Sequence, residues 1–377
     1  MHIGIVTSEF PPDVGGVETY AVEFAKALVA CGHRVDVFVG RHHDTSGAIE
    51  GLSLHPVLAY TRRIDAPVLR QYKVDAWHVM NAAHSWLALE TDKPVVVSIH
   101  GNDFLNPYPL TGSPGIHNYP PLWRFAGQLK PVNRWLAKTL TRRLLPRALP
   151  AARVILSNSQ YTEDVFLAKF PQCRARTVVA QVGVGDCFLN ADIAPKQNNK
   201  PQLLSVARLS EPRKNIGRVL EALERLKDDF DFHYTVVGEG PLKATLEAQA
   251  KSLAIENKTT FIGRLSLPDV IEQMHSADLF ILPSSILADS HEGFGIVYLE
   301  AAACGTPSLA TRQAGAIEAI EDGKSGFFVD EPTVDQITSA LRHFLSQDIH
   351  FKPEECREFA RQFSWQKVVE KALPYYE

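Results

Sequence analysis

Two basic residues in the second half of the chain have the types and spacing of an anion site. Arg208 and Lys214 flank a short proline-containing loop that precedes a helical pattern starting at Ile216. Cations at the start of a helix oppose the helix dipole, so the helix gives no structural reason for them. An anion held by the planar fork of Arg208 and the point charge of Lys214 would explain the pair. The alternative is two solvated surface cations.

Two acidic residues bracket a glycine loop further along, in Glu292-Gly293-Phe294-Gly295-Ile296-Val297-Tyr298-Leu299-Glu300. If a helix begins near Ile296, Glu300 lies about 6 Å along it, at about 1.5 Å per residue. One ligand could then place hydroxyls at both carboxylates, which accept hydrogen bonds well, and phosphate oxygens at the amides between them. The alternative is an ordinary helix start with an acidic first turn.

The elements around these residues indicate parallel sheets. Apolar strand patterns alternate with helical patterns, and strand–helix–strand units build parallel sheets whose ligands bind at the carboxyl ends of the strands. A glycine pair, Gly15-Gly16, follows the first strand and precedes a helix, where backbone N–H groups attract phosphate. A plain tight turn would also explain it. The predicted strands cover residues 3–7, 35–39, 95–99, 154–157, 203–207, 234–237, 261–263, 279–282 and 308–310.

A polar stretch divides the two series of strands. Residues 192–201 are rich in Pro, Lys, Gln and Asn, which is typical of a linker. We therefore predict an α/β protein with two Rossmann-like domains facing each other across a central cleft. The expected domains are 1–190 and 191–352, followed by a C-terminal helix over 353–377 that packs back toward the first domain.

Composition narrows the class further. The chain has 377 residues and a net charge of −4, which argues against a general nucleic-acid binder. Its five cysteines are scattered and form no Cys-x-x-Cys pair, as expected of reduced thiols in the cytoplasm rather than of disulfides or zinc. The N-terminus lacks the pattern of a signal peptide, and no apolar run approaches the length of a membrane span. We expect a cytoplasmic protein.

At this point a family resemblance is clear. The run from Glu292 to Glu300 resembles the Glu-x7-Glu motif of the family-4, or group 1, retaining glycosyltransferases, which have the GT-B fold. Residues 292–305 are particularly similar to bacterial mannosyltransferases that act on phosphatidylinositol mannosides and O-antigen intermediates. Further landmarks of the family match in the same order along nearly the whole chain: Gly15-Gly16, His100-Gly101, Arg208 with Lys214, and Gly238-Glu239-Gly240-Pro241.

The resemblance implies a role for each matching residue. Arg208 and Lys214 bind the donor diphosphate and neutralise the leaving group. Glu292 binds hydroxyls of the transferred sugar, and Glu300 binds the ribose. His100 reaches over the donor sugar and is grouped with the catalytic residues. The other implied donor contacts are Gly16, Gly238, Gly263, Arg264, Phe294, Gly295 and Ile296, and the acceptor-side residues are Gly15, Glu18 and Asp103.

The chain departs from the family pattern at three places. Ala207 and Asn215 stand where glycine is usual, and residues 313–318 replace the commoner Gly-Gly-x-Pro-Glu. The last change affects the loop expected on the sugar side of the site. The charged landmarks are all present.

The implied reaction moves a sugar, with retention, from a nucleotide-diphosphate sugar (GDP-mannose-like or a UDP-sugar) to a hydroxyl of a saccharide or lipid-linked acceptor in cell-envelope glycan synthesis. It implies no cofactor and no metal. One alternative on the same fold is a nucleotide-sugar epimerase or a sugar phosphorylase. Another is a non-catalytic sugar-binding module, against which the four intact charged residues argue.

A basic segment in the first half of the chain is a candidate for contact with a membrane surface. Residues 104–162 contain no acidic residue, and cations interleave with Trp and Leu through 123–147. Such a segment is typical of contact with an anionic membrane surface, which would make the protein peripheral on the inner face of the cell membrane. A solvated cationic face explains it equally well. Asp229-Phe230-Asp231 and His42-His43-Asp44 are interpreted as surface loops rather than metal sites.

Overall fold

The computed structural model describes residues 1–11, 15–44, 49–105, 130–191 and 199–377, and for 130–138 the backbone alone. The chain divides into two compact units. The first combines Met1–Gly183 with Trp365–Glu377, and the second is Val184–Ser364. The predicted domain boundaries followed residues 190 and 352. The observed boundaries follow Gly183 and Ser364, so the first is earlier than predicted and the second is later.

The first unit contains, in its described part, a seven-stranded parallel sheet in the order β3-β2-β1-β4-β5-β6-β7. Its strands are β1 His2–Val6, β2 Arg34–Gly40, β3 Leu52–Leu58, β4 Ala76–Val79, β5 Val95–Ile99, β6 Val154–Ser157 and β7 Thr177–Val179. Its helices are α1 Gly16–Ala30, α2 Arg62–Leu69, α3 Asn102–Leu105, α4 Lys130–Ala148, α5 Gln160–Lys169 and, from the C-terminus, α14 Trp365–Ala372.

The second unit contains a six-stranded parallel sheet over its described residues, in the order β10-β9-β8-β11-β12-β13. Its strands are β8 Gln202–Val206, β9 His233–Val237, β10 Thr259–Ile262, β11 Leu279–Leu282, β12 Ser308–Thr311 and β13 Gly326–Val329. Its helices are α6 Asp186–Leu189, α7 Ile216–Glu224, α8 Lys243–Ser252, α9 Leu267–Ser276, α10 Ile296–Ala303, α11 Ala316–Ala319, α12 Val334–Leu345 and α13 Pro353–Ala360.

The central strands are buried on both faces. All four residues of β11 are fully buried, and successive side chains in a strand point to opposite faces, so both faces of this strand are covered. Parallel sheets covered on both sides produce continuous apolar runs of this kind. Three predicted strands, β5, β6 and β11, have the predicted bounds.

The last 25 residues do not form the single helix expected from the sequence. They form α13, a break over 361–364, and α14, so that α13 belongs to the second unit and α14 to the first. Within the first unit, the Trp365 ring meets the Tyr20 ring edge-on at 5.1 Å. The Tyr376 hydroxyl lies 2.6 Å from Nδ1 of the buried His78, whose Nε2 lies 2.8 Å from the Ser98 hydroxyl.

Candidate functional site

In the second unit, the loop after β8 is bonded to the end of β11. A short 3-10 turn, Pro212–Lys214, leads into α7 through Asn215, whose backbone is left-handed with φ 57°. Asn is among the few residues that adopt this conformation readily, which explains why it can replace glycine here. The Asn215 side-chain amide donates to the Pro283 carbonyl and the Ser285 hydroxyl, both at 2.7 Å.

This loop brings two of the predicted catalytic residues together. The Lys214 ammonium lies 2.6 Å from Oε2 of Glu292, and the Ser284 hydroxyl lies 3.3 Å from the same oxygen. A third donor, Nη1 of Arg213, reaches it at 3.1 Å. All three donors converge on Oε2, and within the part of the chain that the structure describes, Oε1 of Glu292 accepts no hydrogen bond. One carboxylate oxygen thus holds the loop while the other remains available to a ligand.

The charge of Glu292 is strongly favoured in this setting. Burial by itself would raise the pKa of the carboxyl, but the charges and hydrogen bonds of Lys214 and Arg213 outweigh burial and hold the pKa well below its usual range. The group is therefore an acceptor of hydrogen bonds rather than a proton donor across the physiological pH range.

Arg213 is a site residue that the sequence reasoning missed. Its side chain is only 6% exposed, and its guanidinium contacts both Glu292 and Glu211, the latter at 2.6 Å. A signal was present, because Arg213 directly precedes Lys214 and follows Glu211 by two residues. Adjacent charges of both signs at the end of a buried strand indicate a network rather than a lone anion site.

Arg208, in contrast, points to solvent. Its side chain is 48% exposed, and its ion-pair contact is with Glu211, at 4.0 Å between Nε and Oε1. The structure brings Arg208 and Lys214 to the same loop, but not into contact with a shared group. The exposed guanidinium at the carboxyl end of β8 remains accessible to an anion.

The position of Arg208 depends on the glycines after β9. Gly238 has φ 144° and Gly240 has φ 154°, and a Cβ on Gly238 would lie 1.9 Å from the Ala207 carbonyl oxygen. This close approach lets the Ala207 N–H donate to the Val237 carbonyl at 3.0 Å, and the Leu209 N–H donate to the Glu239 carbonyl at 2.9 Å. The residues on either side of Arg208 are thus fixed by the β9 loop.

The neighbouring loop after β10 carries Gly263 and Arg264. The Gly263 carbonyl accepts from the Gly238 N–H at 3.2 Å, and the Arg264 side chain is exposed. The predicted donor contacts Gly238, Gly263 and Arg264 therefore lie on two adjacent loops at the carboxyl edge of the sheet.

The glycine loop before α10 has the geometry expected from its sequence. Gly295, in the left-handed region with φ 91°, caps the helix that begins at Ile296, and Glu300 lies half-buried one turn along it. Phe294 is buried. The Tyr298 hydroxyl donates to the Leu282 carbonyl at 2.6 Å, which fixes α10 to the end of β11.

The loop with the unusual 313–318 sequence packs directly on this one. The Gly315 N–H donates to the Glu292 carbonyl at 3.1 Å, and a Cβ on Gly315 would lie 2.2 Å from the Gly293 carbonyl oxygen. Ala314 has φ 53°, a conformation that glycine adopts more easily. The 313–318 loop is thus bonded to the glycine loop before α10, and Ala314 occupies a backbone conformation that favours glycine.

In the first unit, His100 follows β5. Its Nε2 lies 3.1 Å from the Met80 carbonyl oxygen; because a carbonyl can only accept, this nitrogen carries the hydrogen and Nδ1 carries the lone pair. Burial lowers the pKa of the imidazole, opposed by the charge of Asp103 and the Met80 bond, so the ring is neutral at pH 7. Its ring also meets the Tyr20 ring edge-on at 4.6 Å.

The three residues predicted for the acceptor side organise backbone in the first unit. Asp103 is buried, and its two oxygens accept from the N–H groups of His100 at 2.9 Å and Ala82 at 2.8 Å. Glu18 accepts from the Gly15 N–H at 3.2 Å in the first turn of α1. The adjacent Gly16, predicted as a donor contact, is exposed, and a Cβ there would meet nothing within 4 Å.

The residues set aside on sequence grounds have partners of their own. Asp229 pairs with Arg342 at 2.8 Å, and Asp231 lies 3.6 Å from Lys258, near the amino end of β9. Among the described residues, no cluster of three or more His, Cys, Asp or Glu side chains could hold a metal ion.

The basic segment lies partly outside the described residues, which exclude 106–129. The described part of this segment is α4. In the second half of this helix the side chains of Leu140, Arg142, Arg143 and Arg147 are exposed. None of the helices in the described ranges is long and apolar enough to cross a membrane.

Each half of the chain matches the model of a known protein family. The family described as "Glycosyl transferases group 1" matches residues 189–363, and "Glycosyltransferase Family 4" matches residues 14–185. One similar curated protein is the GDP-mannose-dependent alpha-(1-6)-phosphatidylinositol monomannoside mannosyltransferase of Mycolicibacterium smegmatis. It is 27% identical over 368 residues, covering 91% of this chain and 88% of its own.

Solved structures agree on the fold. Anabaena HepE in complex with UDP-glucose has a TM-score of 0.71 at 19% identity, covering 99% of this chain and 98% of its own. The lipopolysaccharide outer core galactosyltransferase WaaB, in its apo form, has a TM-score of 0.70 at 16% identity, with 99% of both chains covered. The two Rossmann-like sheets and these likenesses confirm the predicted GT-B fold.

Proposed function

Because the chain belongs to the glycosyltransferases of group 1 and family 4, we propose that it transfers a sugar from a nucleotide-diphosphate sugar to a hydroxyl acceptor, with retention of configuration. The donor is a GDP-mannose-like or UDP-linked sugar, and the acceptor is a saccharide or a lipid-linked saccharide of cell-envelope glycan synthesis. The mannosyltransferase named above and the UDP-glucose complex of HepE support this choice of donors.

The observation that carries the proposal is the state of Glu292. Lys214, Arg213 and Ser284 all donate to Oε2, while Oε1 has no partner among the described side chains and backbone. A carboxylate held ionised and oriented, with one oxygen left open, is suited to accept hydrogen bonds from sugar hydroxyls. The same group would repel a bare phosphate, which assigns the sugar, not the diphosphate, to this position.

The diphosphate then lies with the cations of the β8 loop. In the proposed step, the bond from the sugar C1 to the diphosphate breaks, and a bond from the acceptor oxygen to C1 forms on the same face. The acceptor proton passes to the departing phosphate oxygen. Arg208 and Lys214 stabilise the negative charge that develops on the diphosphate, so that positioning and electrostatics supply the catalysis. Glu300, one turn along α10, binds the ribose.

The neutral His100 offers an uncharged hydrogen-bond acceptor. In the tautomer fixed by Met80, Nδ1 carries a lone pair and can accept a hydrogen bond from a sugar hydroxyl.

A panel of donors tests the function. The purified protein is incubated with GDP-mannose, UDP-glucose, UDP-galactose and ADP-glucose, each with and without a lipid-linked saccharide acceptor. We expect acceptor-dependent release of the nucleoside diphosphate and a product whose new linkage keeps the donor's anomeric configuration by NMR. An epimerised donor without acceptor, or phosphorolysis, would assign the protein to another reaction on this fold; no turnover of any donor would support a binding module.

A matched pair of lysine variants connects the activity to the site. Lys214→Met should lower kcat/KM by about 10²–10³, the usual loss for one preorganised electrostatic partner. Lys324→Met removes an exposed lysine of the same unit that pairs with Glu321 at 2.5 Å, and should leave the rate unchanged. Equal rates in the two variants would contradict the role of Lys214.

A further inference from the structure

Glu292 and four other charged side chains form one chain of alternating sign. At one end, Arg208 lies 4.0 Å from Glu211, which in turn contacts Arg213 at 2.6 Å. Arg213 contacts Glu292 at 3.1 Å, and Glu292 contacts Lys214 at 2.6 Å. The two cations assigned to the diphosphate are therefore the two ends of the chain, and Glu211 and Arg213 connect them through Glu292.

The members of this charge chain differ in how freely they can move. Arg213, in the middle, has 6% of its side chain exposed, whereas Arg208 at one end is 48% exposed. Lys214 at the other end has a flexible stem and a single charged atom, so it can turn from one partner to another. Arg213 has both carboxylates on its guanidinium, and its carbonyl accepts from the Ser285 N–H at 2.8 Å, which fixes its backbone.

We infer that Arg213 and Glu211 are positioning residues of the transfer reaction, which keep Glu292 ionised and oriented when Lys214 turns to the donor diphosphate. The inference deepens the proposed function and rests on it. Without Arg213, the departure of Lys214 would leave a buried carboxylate with no cation, which is strongly unfavourable. Lys214 would then stay on Glu292 or Glu292 would take up a proton, and either change impairs the donor site.

Glu211 lies between Arg208 and Arg213 in the charge chain and contacts both. Its two oxygens face different cations, Oε1 toward Arg208 and Oε2 toward Arg213. It therefore balances part of the charge of the buried guanidinium beside Glu292, and it lies within ion-pair distance of the exposed Arg208.

The test compares three arginine variants of the full-length protein. Arg213→Gln removes the central charge, Arg213→Lys keeps a charge that can reach only one carboxylate, and Arg225→Gln removes an arginine that pairs with the exposed Asp335 at 2.5 Å. We expect Arg213→Gln to lower kcat by about 10–100-fold, the loss typical of a partner that orients a functional ligand. We also expect the acidic limb of its kcat/KM profile to move to higher pH. Arg213→Lys should restore most of the pH profile but not the full kcat, and Arg225→Gln should match the parent.

Several results would overturn the inference. A pH profile of Arg213→Gln that superimposes on the parent profile after scaling would mean that Arg213 does not control the ionisation of Glu292. A loss in Arg213→Lys equal to that in Arg213→Gln, without a change in pH profile, would indicate a purely structural role.

A second measurement separates failure of this inference from failure of the proposed function. Thermal unfolding is compared for Arg213→Gln, Glu292→Gln and the double variant, which requires no substrate. If the residues are coupled as inferred, Arg213→Gln lowers Tm less in the Glu292→Gln background than in the parent. Additive shifts in Tm would overturn the inference even in an active enzyme, whereas non-additive shifts in a chain that turns over no donor would count against the function alone.

Discussion

Replacing Gly238 by alanine should unfold the second unit at lower temperature and displace Arg208. The new Cβ would lie 1.9 Å from the Ala207 carbonyl oxygen, a backbone atom that cannot turn away, and φ is 144°. A side chain in such a backbone conformation costs about 1–3 kcal/mol. Relief of the clash would break the bond between Ala207 and Val237, which adds about 1 kcal/mol. We expect a loss of about 3 kcal/mol, or about 6–12 °C in Tm for units of this size.

Gly263→Ala is the matched control for stability, since it adds the same methyl group on the adjacent loop. There the Cβ would meet Oε1 of Glu239 at 2.3 Å, the end of a flexible and largely exposed side chain that can move aside, and the backbone is not left-handed. Its Tm should stay within about 2 °C of the parent, since surface changes usually cost under about 0.5 kcal/mol. Thermal unfolding followed by circular dichroism measures both. Equal Tm values for the two variants would refute the argument that close backbone approach, rather than loop composition, requires Gly238.

Four further predictions address donor binding, acid stability, metal and membrane. Glu300→Ala should weaken nucleoside-diphosphate binding in calorimetric titration with little change in kcat at saturating donor, because the proposed function assigns Glu300 to the ribose; unchanged affinity would remove that assignment. Burial lowers the pKa of His78 and of His84 to about 3, so the unfolded chain binds protons below about pH 6.5 that the folded chain does not. The free energy of unfolding should therefore fall by about 1.4 kcal/mol per pH unit for each histidine as pH drops from about 6.5 toward 3, and a flat urea-unfolding series between pH 7 and pH 5 would contradict this. Activity should persist in excess EDTA; a loss restored by manganese or magnesium would show a metal requirement. Replacing Arg142 and Arg143 by Gln should weaken sedimentation with anionic vesicles, most at low salt, whereas no sedimentation of the parent would favour the solvated-face interpretation.

Much of the fold was predictable because the central strands are buried on both faces. Continuous apolar runs between glycine-rich loops indicated β5, β6 and β11 with their observed bounds. Four strands were missed: β3, β4, β7 and β13. Three of them lie at the edges of their sheets, whereas β4 is a central strand of only four residues. β3 contains Pro56 and is mostly half-buried, so it lacks the apolar run that marks a central strand.

The candidate site was predictable in its landmarks but not in its connections. The spacing of Glu292 and the glycine loop indicated the helix start at Ile296. The sequence does not show that Lys214 pairs with Glu292, because the two are 78 positions apart and meet only through the order of β8 and β11 in the sheet. For the same reason the burial of Arg213 was missed. Pairing between loops of adjacent strands depends on topology, not on local pattern.

The route of the chain through the first unit also bears on how the protein is made. The hydroxyl beside the buried His78 belongs to Tyr376, the next-to-last residue, and the ring beside Tyr20 belongs to Trp365. On the ribosome, the whole of Val184–Ser364 is synthesised before either side chain. The first unit therefore cannot complete its core until the second has been synthesised, and until then Nδ1 of the buried His78 lacks its Tyr376 partner.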